Sequence, residues 1–567
     1  MNPRASIKAL IFSDDTPVEL GQDDIVVIVG PNNAGKSAAL RGIRDKFINR
    51  NAASVVIKFI AMATEGTVDD LLAWLENTTR KNTSNPQDPI FNAMGAGIYK
   101  SQASGQWQNP ANGFQSLARF FCFMLTADAR LQAADPAPNI PIIREPPSHP
   151  IHYLQINDSL ETRLSSQFQR AFGTELIVHR NAGNEVPLYT GERPKPGPGQ
   201  DRVSYQYIQA LEALTPLKMQ GDGMRSFAGV LLYTSTGRES VFLIDEPEAF
   251  LHPPQARLLG RMLVQEKQAE RQLFIATHSG DVLRGILDIG SANVRVIRLR
   301  REGNVNITRV LNNAEIATLW NDPILRYSNI LDGLFHEKVI VCEGDSDCRF
   351  YAAVADALYK AKGADVHQPD IMFVHVGGKA RIATILRALA QVSVPVATIL
   401  DFDALNEETI LSGVVQAIGG EWASLEADWK VVKQAIDSKK PELSADEVRT
   451  QVETVLASVG TGIFPDDAKN KIISILRRAS PWQYAKEVGM QYVPSGTPSE
   501  ALQRLMKKLQ AIGVFLVEVG ELEGLCKTVG RHGPAWVNEV LKRDLSTDPE
   551  LDKARRFVQT VIGLSEQ

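Results

Sequence analysis

The sequence is poor in cysteine, carries no basic excess and holds no long apolar run. Four cysteines in 567 residues, none in a CxxC pair, leave no disulfide framework and no zinc ribbon. They fit reduced thiols. A net charge of −5 argues against a protein that coats nucleic acid by bulk charge, so a nucleic-acid site must be a local patch or depend on bound metal. No apolar stretch approaches the ~18 residues that cross a bilayer, and no charged-then-apolar leader opens the chain. Cytoplasmic residence without membrane contact is expected. The remainder is ordinary: 44% hydrophobic and 22% charged residues, with length for about two to four domains.

The most informative stretch is Gly30-Pro31-Asn32-Asn33-Ala34-Gly35-Lys36-Ser37, which follows the apolar run Ile25 to Val29 and opens the helical pattern Ala38 to Ile48. Strand, glycine-framed loop and helix start are the parts of a phosphate cradle. Gly30 and Gly35 permit a backbone path closed to residues with a Cβ, so that amide N–H groups turn toward phosphates. Gly30, Asn33, Gly35, Lys36 and Ser37 are the expected ATP contacts, with Lys36 on the β/γ-phosphates and Ser37 on Mg²⁺.

A second apolar run, Val241 to Ile244, delivers Asp245 and Glu246 to a strand end, the edge at which α/β sheets bind ligands. Asp245 suits the Mg²⁺ shell and Glu246 suits activation of water. Leu273 to Ala276 then reads as a buried strand ending in Thr277-His278-Ser279, with His278 placed to sense the γ-phosphate. Ser6 to Phe12, Val18 to Leu20 and Ser54 to Ala61 read as further strands. Residues 64–204 read as an insertion or lobe of mixed helix and loop, one use of which would be dimerisation, ending in a mobile Pro/Gly segment from Arg193 to Asp201. Asn293 to Val310 reads as a hairpin whose first arm carries Arg295, Arg298, Arg300 and Arg301, as a solvated edge strand would.

The series GPNNAGKS, IDEPEAFLHP and ATHS resembles the ABC-type ATPases of the SMC and OLD groups. The resemblance implies Walker A at Gly30 to Ser37, Walker B at Asp245 with catalytic Glu246, and a switch at His278. The family's signature loop falls at Gln220 to Arg225, where Gly221 stands in place of the usual serine. Gly223 and Arg225 are the residues left there to meet phosphate. Such sites are completed across a dimer, so a second copy of the chain is an expected partner.

The pattern restarts at Lys338. An apolar strand to Cys342 ends in Glu343-Gly344-Asp345-Ser346-Asp347, a helix follows, and Ile371 to Val376 and Val396 to Leu400 read as strands, the last ending in Asp401-Phe402-Asp403. This is a βαβαβ alternation with acids at strand ends. Asp401 and Asp403, two apart in extended chain, would point to one side, and Glu343 would meet them from a neighbouring strand. Carboxylates converging without a lysine partner need a cation, and oxygen-only ligands favour Mg²⁺ or Mn²⁺. Glu343, Asp347, Asp401 and Asp403 are the expected metal ligands.

This half resembles the Toprim domain, and an ABC ATPase followed by Toprim is the layout of the OLD family, to which nucleases of Gabija-type and retron defence are similar. The expected fold is α/β: an ABC-type P-loop ATPase domain at 1–325, then a Toprim domain at 326–567 with a helical insertion at about 404–506. The resemblance implies second-metal ligands near Glu521 and Glu523, with Glu521 favoured, and a late catalytic lysine, for which Lys527 and Lys542 are both open. The implied function is an ATP-regulated, metal-dependent DNA endonuclease or nickase in phage defence, with an accessory protein or a retron RNA–DNA as a further partner. The alternative is an SMC-like DNA-sensing ATPase whose Toprim domain binds without cutting. No strand-passage tyrosine domain or priming module can be read, which argues against a topoisomerase or primase.

Overall fold

The computed structural model describes residues 2–82, 85–93, 96–290, 293–303, 305–311, 329–363, 367–439, 445–460, 463–477, 481–530 and 532–564. The chain divides into two units, Met1–Arg326 and Tyr327–Gln567.

In the first unit the run Ile25–Val29 (β1) is buried at every position, as a strand covered on both faces must be. It joins Cys122–Leu125 (β2), Val241–Asp245 (β3), Gln272–Ala276 (β4), Val294–Glu302 (β5) and Val305–Leu311 (β6) in a six-stranded sheet of order β6-β5-β1-β4-β3-β2. All pairs are parallel except β5 with β6. The carboxyl ends of β1, β3 and β4 therefore open on one edge, where Lys36–Ile48 (α1) begins directly after the glycine loop. Asp222–Thr236 (α2), Pro253–Gln265 (α3) and Gly280–Asp288 (α4) follow. A separate antiparallel sheet pairs Arg4–Phe12 with Pro17–Glu19 and Ile57–Glu65.

Three expectations change here. Residues 64–204 are not merely an insertion, because β2 lies inside them and forms a sheet edge beside β3. Its run is only four residues and ends in no acid, so nothing local marked it as part of the main sheet. The arginine arm β5 is not an edge strand: it pairs with β1, and the edge falls to β6. Alternation shows which side chains share a face but not which strand lies alongside. Arg298 is thus buried, and Arg295 pairs with Asp24 at 2.6 Å. The segment from Arg193 to Asp201 is pinned on both flanks, since buried Glu161 accepts from Arg193 at 2.6 Å and Arg202 at 3.1 Å. Leu311 to Glu337, which the sequence reads as a helical connection into a second domain, lies mostly outside the described residues.

The second unit is built on Lys338–Cys342 (β7), Ile371–His375 (β8), Val396–Leu400 (β9) and Val514–Leu516 (β10), a wholly parallel sheet of order β8-β7-β9-β10. Asp345–Lys362 (α5) and Ile382–Gln391 (α6) are its crossovers. Between β9 and β10 the chain makes Glu408–Ala417 (α7), Ala423–Asp437 (α8), Ala445–Ala457 (α9), Asp466–Arg477 (α10), Pro481–Val488 (α11) and Thr497–Ala511 (α12). Pro534–Val540 (α13) and Asp552–Ile562 (α14) end it. Fully buried Trp536 of α13 packs on Phe350 of α5, centroids 5.2 Å apart, and its Nε1 donates to Cys526 O at 3.2 Å. Burying such a ring is worth roughly 2–3 kcal/mol, so the C-terminal helices fix the loop after β10 rather than merely trailing from it.

Candidate functional site

Two clusters of chemically active side chains lie at strand ends, one in each unit. In the first, the loop backbone takes positive φ at Gly30 (145°), Asn33 (60°) and Gly35 (91°). A Cβ on Gly30 would stand 2.1 Å from Leu299 O, so glycine is required there by β5 as well as by the turn. Lys36 is buried, and its Nζ donates to Gly30 O at 2.8 Å and Pro31 O at 2.7 Å. Burial lowers its pKa to about 8 against the pull of Glu246, Glu248 and Asp245. Ser37 Oγ donates to Asp245 Oδ1 at 2.9 Å, joining the loop to β3. Burial raises the Asp245 carboxyl.

Glu246 sits in left-handed backbone (φ 47°), and its Oε1 lies 2.8 Å from His278 Nε2. The structure therefore brings Lys36, Ser37, Asp245, Glu246 and His278 to one edge. Gly223 and Arg225 do not join them: among the described residues no hydrogen bond or ion pair links either to loop 30–37. Arg225 donates to Asp222 Oδ1 at 3.1 Å and Leu131 O at 3.3 Å. A Cβ on Gly223 would meet Phe250 O at 2.7 Å, which makes this glycine a packing requirement between α2 and the turn after β3.

Two residues here escaped sequence reasoning. Glu248 accepts from Thr277 Oγ1 at 2.8 Å and from His278 N at 2.7 Å, tying the ends of β3 and β4 together. Its place in Asp245-Glu246-Pro247-Glu248 was the available signal. Arg130, fully buried, donates through Nη1 to Asp245 O at 2.7 Å, and no motif surrounds it.

In the second unit β7 and β9 are neighbours, and Glu343 Oε1 accepts from Asp401 N at 3.1 Å. Asp347 lies in the first turn of α5, where its Oδ2 accepts from Gly344 N at 2.8 Å. The chain does not stay extended after Asp401. It turns into a 3₁₀ helix, Phe402–Asn406, that buries Phe402, so Asp401 and Asp403 reach different partners. Asp403 meets Lys379 at 3.1 Å, and Asp401 meets Lys486 at 3.0 Å. The acids thus do not lack lysine partners, as the sequence had suggested. Lys486, on α11, also stands 3.9 Å from Glu521.

The electrostatics agree with this convergence. Burial, then Asp401 and Asp403, push Glu343 up to about 7. Burial with Asp401 and Glu523 pushes Asp347 up to about 6, and burial with Glu523 pushes Glu521 up to about 7. Asp401 is raised mainly by burial, and Lys486 is raised by the acids around it. Glu521, Glu523 and His532 offer ligand atoms within 4.8 Å of one another. Glu523 Oε1 is held by Gly533 N at 2.7 Å. Lys527 lines the same cavity as Glu521 and Glu523, whereas exposed Lys542 pairs locally with Glu539 and reaches none of these acids through any contact among the described residues. Lys486 was missed because it lies in a helical stretch with no motif around it.

These residues fit a divalent cation. The donors are carboxylate oxygens, the six acids outnumber the two lysines among them, and Asp403 Oδ1 is buried without a hydrogen bond.

Residues 134–284 match an AAA-domain family whose description also names the AbiEii toxin of a type IV toxin–antitoxin system. Residues 334–403 match the family described as overcoming lysogenization defect protein-like, TOPRIM domain. The Old nuclease of Escherichia phage P2 is 26% identical over 174 residues, which is 30% of this chain and 28% of that protein. The alignment thus spans less than a third of that relative's length. An uncharacterized protein of Methanocaldococcus jannaschii is 33% identical over 87 residues, 15% of this chain and 76% of that protein. Among solved structures, the SMC head domain from Thermotoga maritima aligns with 55% of this chain and 100% of that chain at 11% identity, with a TM-score of 0.28. An AAA domain followed, in order, by an OLD-like Toprim domain, together with the similarity to an Old nuclease, supports an ATPase–Toprim protein of the OLD type.

Proposed function

We propose that this chain is an ATP-regulated, divalent-metal-dependent DNA endonuclease or nickase that acts in the cytoplasm against phage. The observation that carries this reading is the convergence of Glu343, Asp347, Asp401, Asp403, Glu521 and Glu523 around Lys486, with the carboxyls of Glu343, Asp347, Asp401 and Glu521 raised by burial and by neighbouring acids. Binding DNA alone would not call for acids beside a phosphate backbone. The similarity to the Old nuclease of phage P2 supports the same reading.

Glu343, Asp347, Asp401 and Asp403 would hold one Mg²⁺ or Mn²⁺, and Glu521 with Glu523 a second, supplying an activated water and charge stabilisation of the leaving oxygen. Lys486 keeps Asp401 and Glu521 apart and partly neutralised. Lys527, on the wall of the Glu521–Glu523 cavity, stands ready for the scissile phosphate. In the ATPase unit Lys36 takes the β/γ-phosphates, and Ser37 and Asp245 form the Mg²⁺ edge. Glu246 accepts the proton of the attacking water while His278 orients its carboxylate. Gly223 and Arg225, free of loop 30–37 in their own chain, are the groups left to meet nucleotide held by a second copy. An accessory protein or an RNA–DNA would supply the trigger.

Supercoiled plasmid with Mg²⁺ or Mn²⁺, with and without ATP, tests the proposal. Nicked or linear product is expected from the native chain and none from Glu343→Ala. Cleavage that survives this substitution sinks the nuclease assignment and leaves the DNA-sensing ATPase.

A further inference from the structure

The carboxylates account for only one end of the cavity system in the second unit. A cavity of about 810 Å³ holds Glu487, Glu521, Glu523 and His532 on its walls. A second, of about 460 Å³, is walled by Gln491, Glu518, Lys553, Arg556 and Phe557. Val488 and Lys527 line both, so the two are compartments of one groove. Charge changes sign along it. The first compartment is acidic, and the second carries Lys527, Lys553 and Arg556 against the single acid Glu518.

The cations of the second compartment are uncommitted. Lys527, Lys553 and Arg556 make no ion pair among the described residues. Other cations of this unit are held in pairs, among them Lys379 on Asp403, Lys508 on Asp428 and Arg543 on Glu550. Even Arg555, next to Arg556, is occupied by Leu545 O at 3.0 Å and Asp548 O at 2.7 Å. Lys553, Arg556 and Thr560 recur at helical spacing on one face of α14 and all line the groove. Ala554, Val558 and Val561 lie in the core on its other face. That face, from Lys553 to Thr560, is about 10 Å long at 1.5 Å per residue, the span of about three nucleotides at 3.4 Å each, with its two cations about 4.5 Å apart along the axis. An unpaired cationic row continuous with metal-binding acids suits a linear polyanion whose reacting phosphate lies at the acidic end. A small anion would need only one of the compartments.

We infer that the groove from Lys527 to α14 is the track for the DNA phosphodiester backbone on one side of the bond to be cut, with Lys553 and Arg556 each taking a phosphate. Phe557 and Gln491 offer a ring face and an amide to the sugars or bases alongside. The inference rests on the nuclease reading for the position of the cut, but not for the binding itself.

Binding of a fluorescein-labelled DNA duplex is measured by anisotropy in EDTA, where no metal-dependent cutting occurs, across a series of salt concentrations. Lys553→Ala/Arg556→Ala is expected to weaken binding about tenfold or more and to lower the slope of log affinity against log salt by about 2, while its melting temperature stays at the native value. Lys430→Ala removes an exposed cation paired with Glu426 on α8 and is expected to leave the slope unchanged. Equal affinity and slope in the double variant overturn the inference, as does an equal loss in Lys430→Ala. If the double variant unfolds, Lys553→Gln alone, expected to lower the slope by about 1, decides the matter. The two readings separate cleanly. A chain that binds through this face yet never cuts plasmid keeps the track and loses the nuclease, and unaltered binding beside Glu343-dependent cutting does the reverse.

Discussion

The two sites solve opposite electrostatic problems. Around Gly30 to Ser37 the positions are set by backbone: positive φ, a glycine pressed against Leu299 O, and a lysine folded onto its own loop carbonyls. That site is shaped for an anion, and its central cation is weakened to about 8 by burial. Around Glu343 the positions are set by side chains brought from distant parts of the chain, and the central cation, Lys486, is strengthened by the acids around it. That site is shaped for cations. Where backbone defines a site the sequence motif is contiguous. Where side chains define it, the parts are scattered and only their charges report the convergence.

If the comparison holds, each site fails by itself. The largest effect is expected from Glu343→Ala, which should reduce plasmid cleavage by about 10³-fold or more while phosphate release from ATP stays within about twofold. Parallel loss of both activities would merge the two sites. Lys36→Ala should lower ATP hydrolysis by about 10²-fold, read by phosphate release, with the metal response of the Toprim unit retained in a melting assay. Gly30→Ala tests the backbone half directly: its Cβ would meet Leu299 O at 2.1 Å in left-handed space, and denaturant unfolding should show a loss of about 2–3 kcal/mol.

A pH series sharpens the side-chain half. Glu343 and Glu521 at about 7 and Asp347 at about 6 hold protons that the unfolded chain, with carboxyls near 4, has already released. Between about pH 4.5 and 7 the native state therefore binds more protons, so metal-free stability should fall as pH rises through that window. Added Mg²⁺ should raise the melting temperature more at the top of the window than at the bottom. A flat pH response would mean that the acids do not confront one another. The smallest effect is expected for Lys542→Ala, under about 0.5 kcal/mol and without change in cleavage, because its Glu539 pair is exposed. Lys527→Ala should instead impair cleavage.

Much of this was legible because strands ending in acids announce themselves. Val241 to Asp245, Lys338 to Glu343 and Val396 to Asp401 each couple a buried run to a charged terminus, and each pairs in parallel with both of its neighbours. What escaped did so for physical reasons. Lys486 meets Asp401 from a helix far along the chain, and a lone lysine in an amphipathic helix carries no sign of what it faces. Arg130 acts through a backbone carbonyl, which imposes no pattern on sequence. The arginines of β5 read as an edge from sequence because exposure and strand neighbour are independent variables. Burial of Arg298 beside the phosphate-loop strand decided the matter.

Asn306 on β6 donates through Nδ2 to Ala34 O at 2.7 Å, and a Cβ on Gly35 would meet the same amide at 3.0 Å. β6 is also the last strand of the first unit among the described residues. The loop that would close on ATP is thus one hydrogen bond from the last described strand of its own unit. Thermodynamic linkage makes traffic over that bond two-way: whatever factor nucleotide imposes on metal affinity, metal must impose on nucleotide affinity. Titrating ATP with and without Mn²⁺, in the native chain and in Asn306→Ala, would measure how much of that factor runs through a single amide.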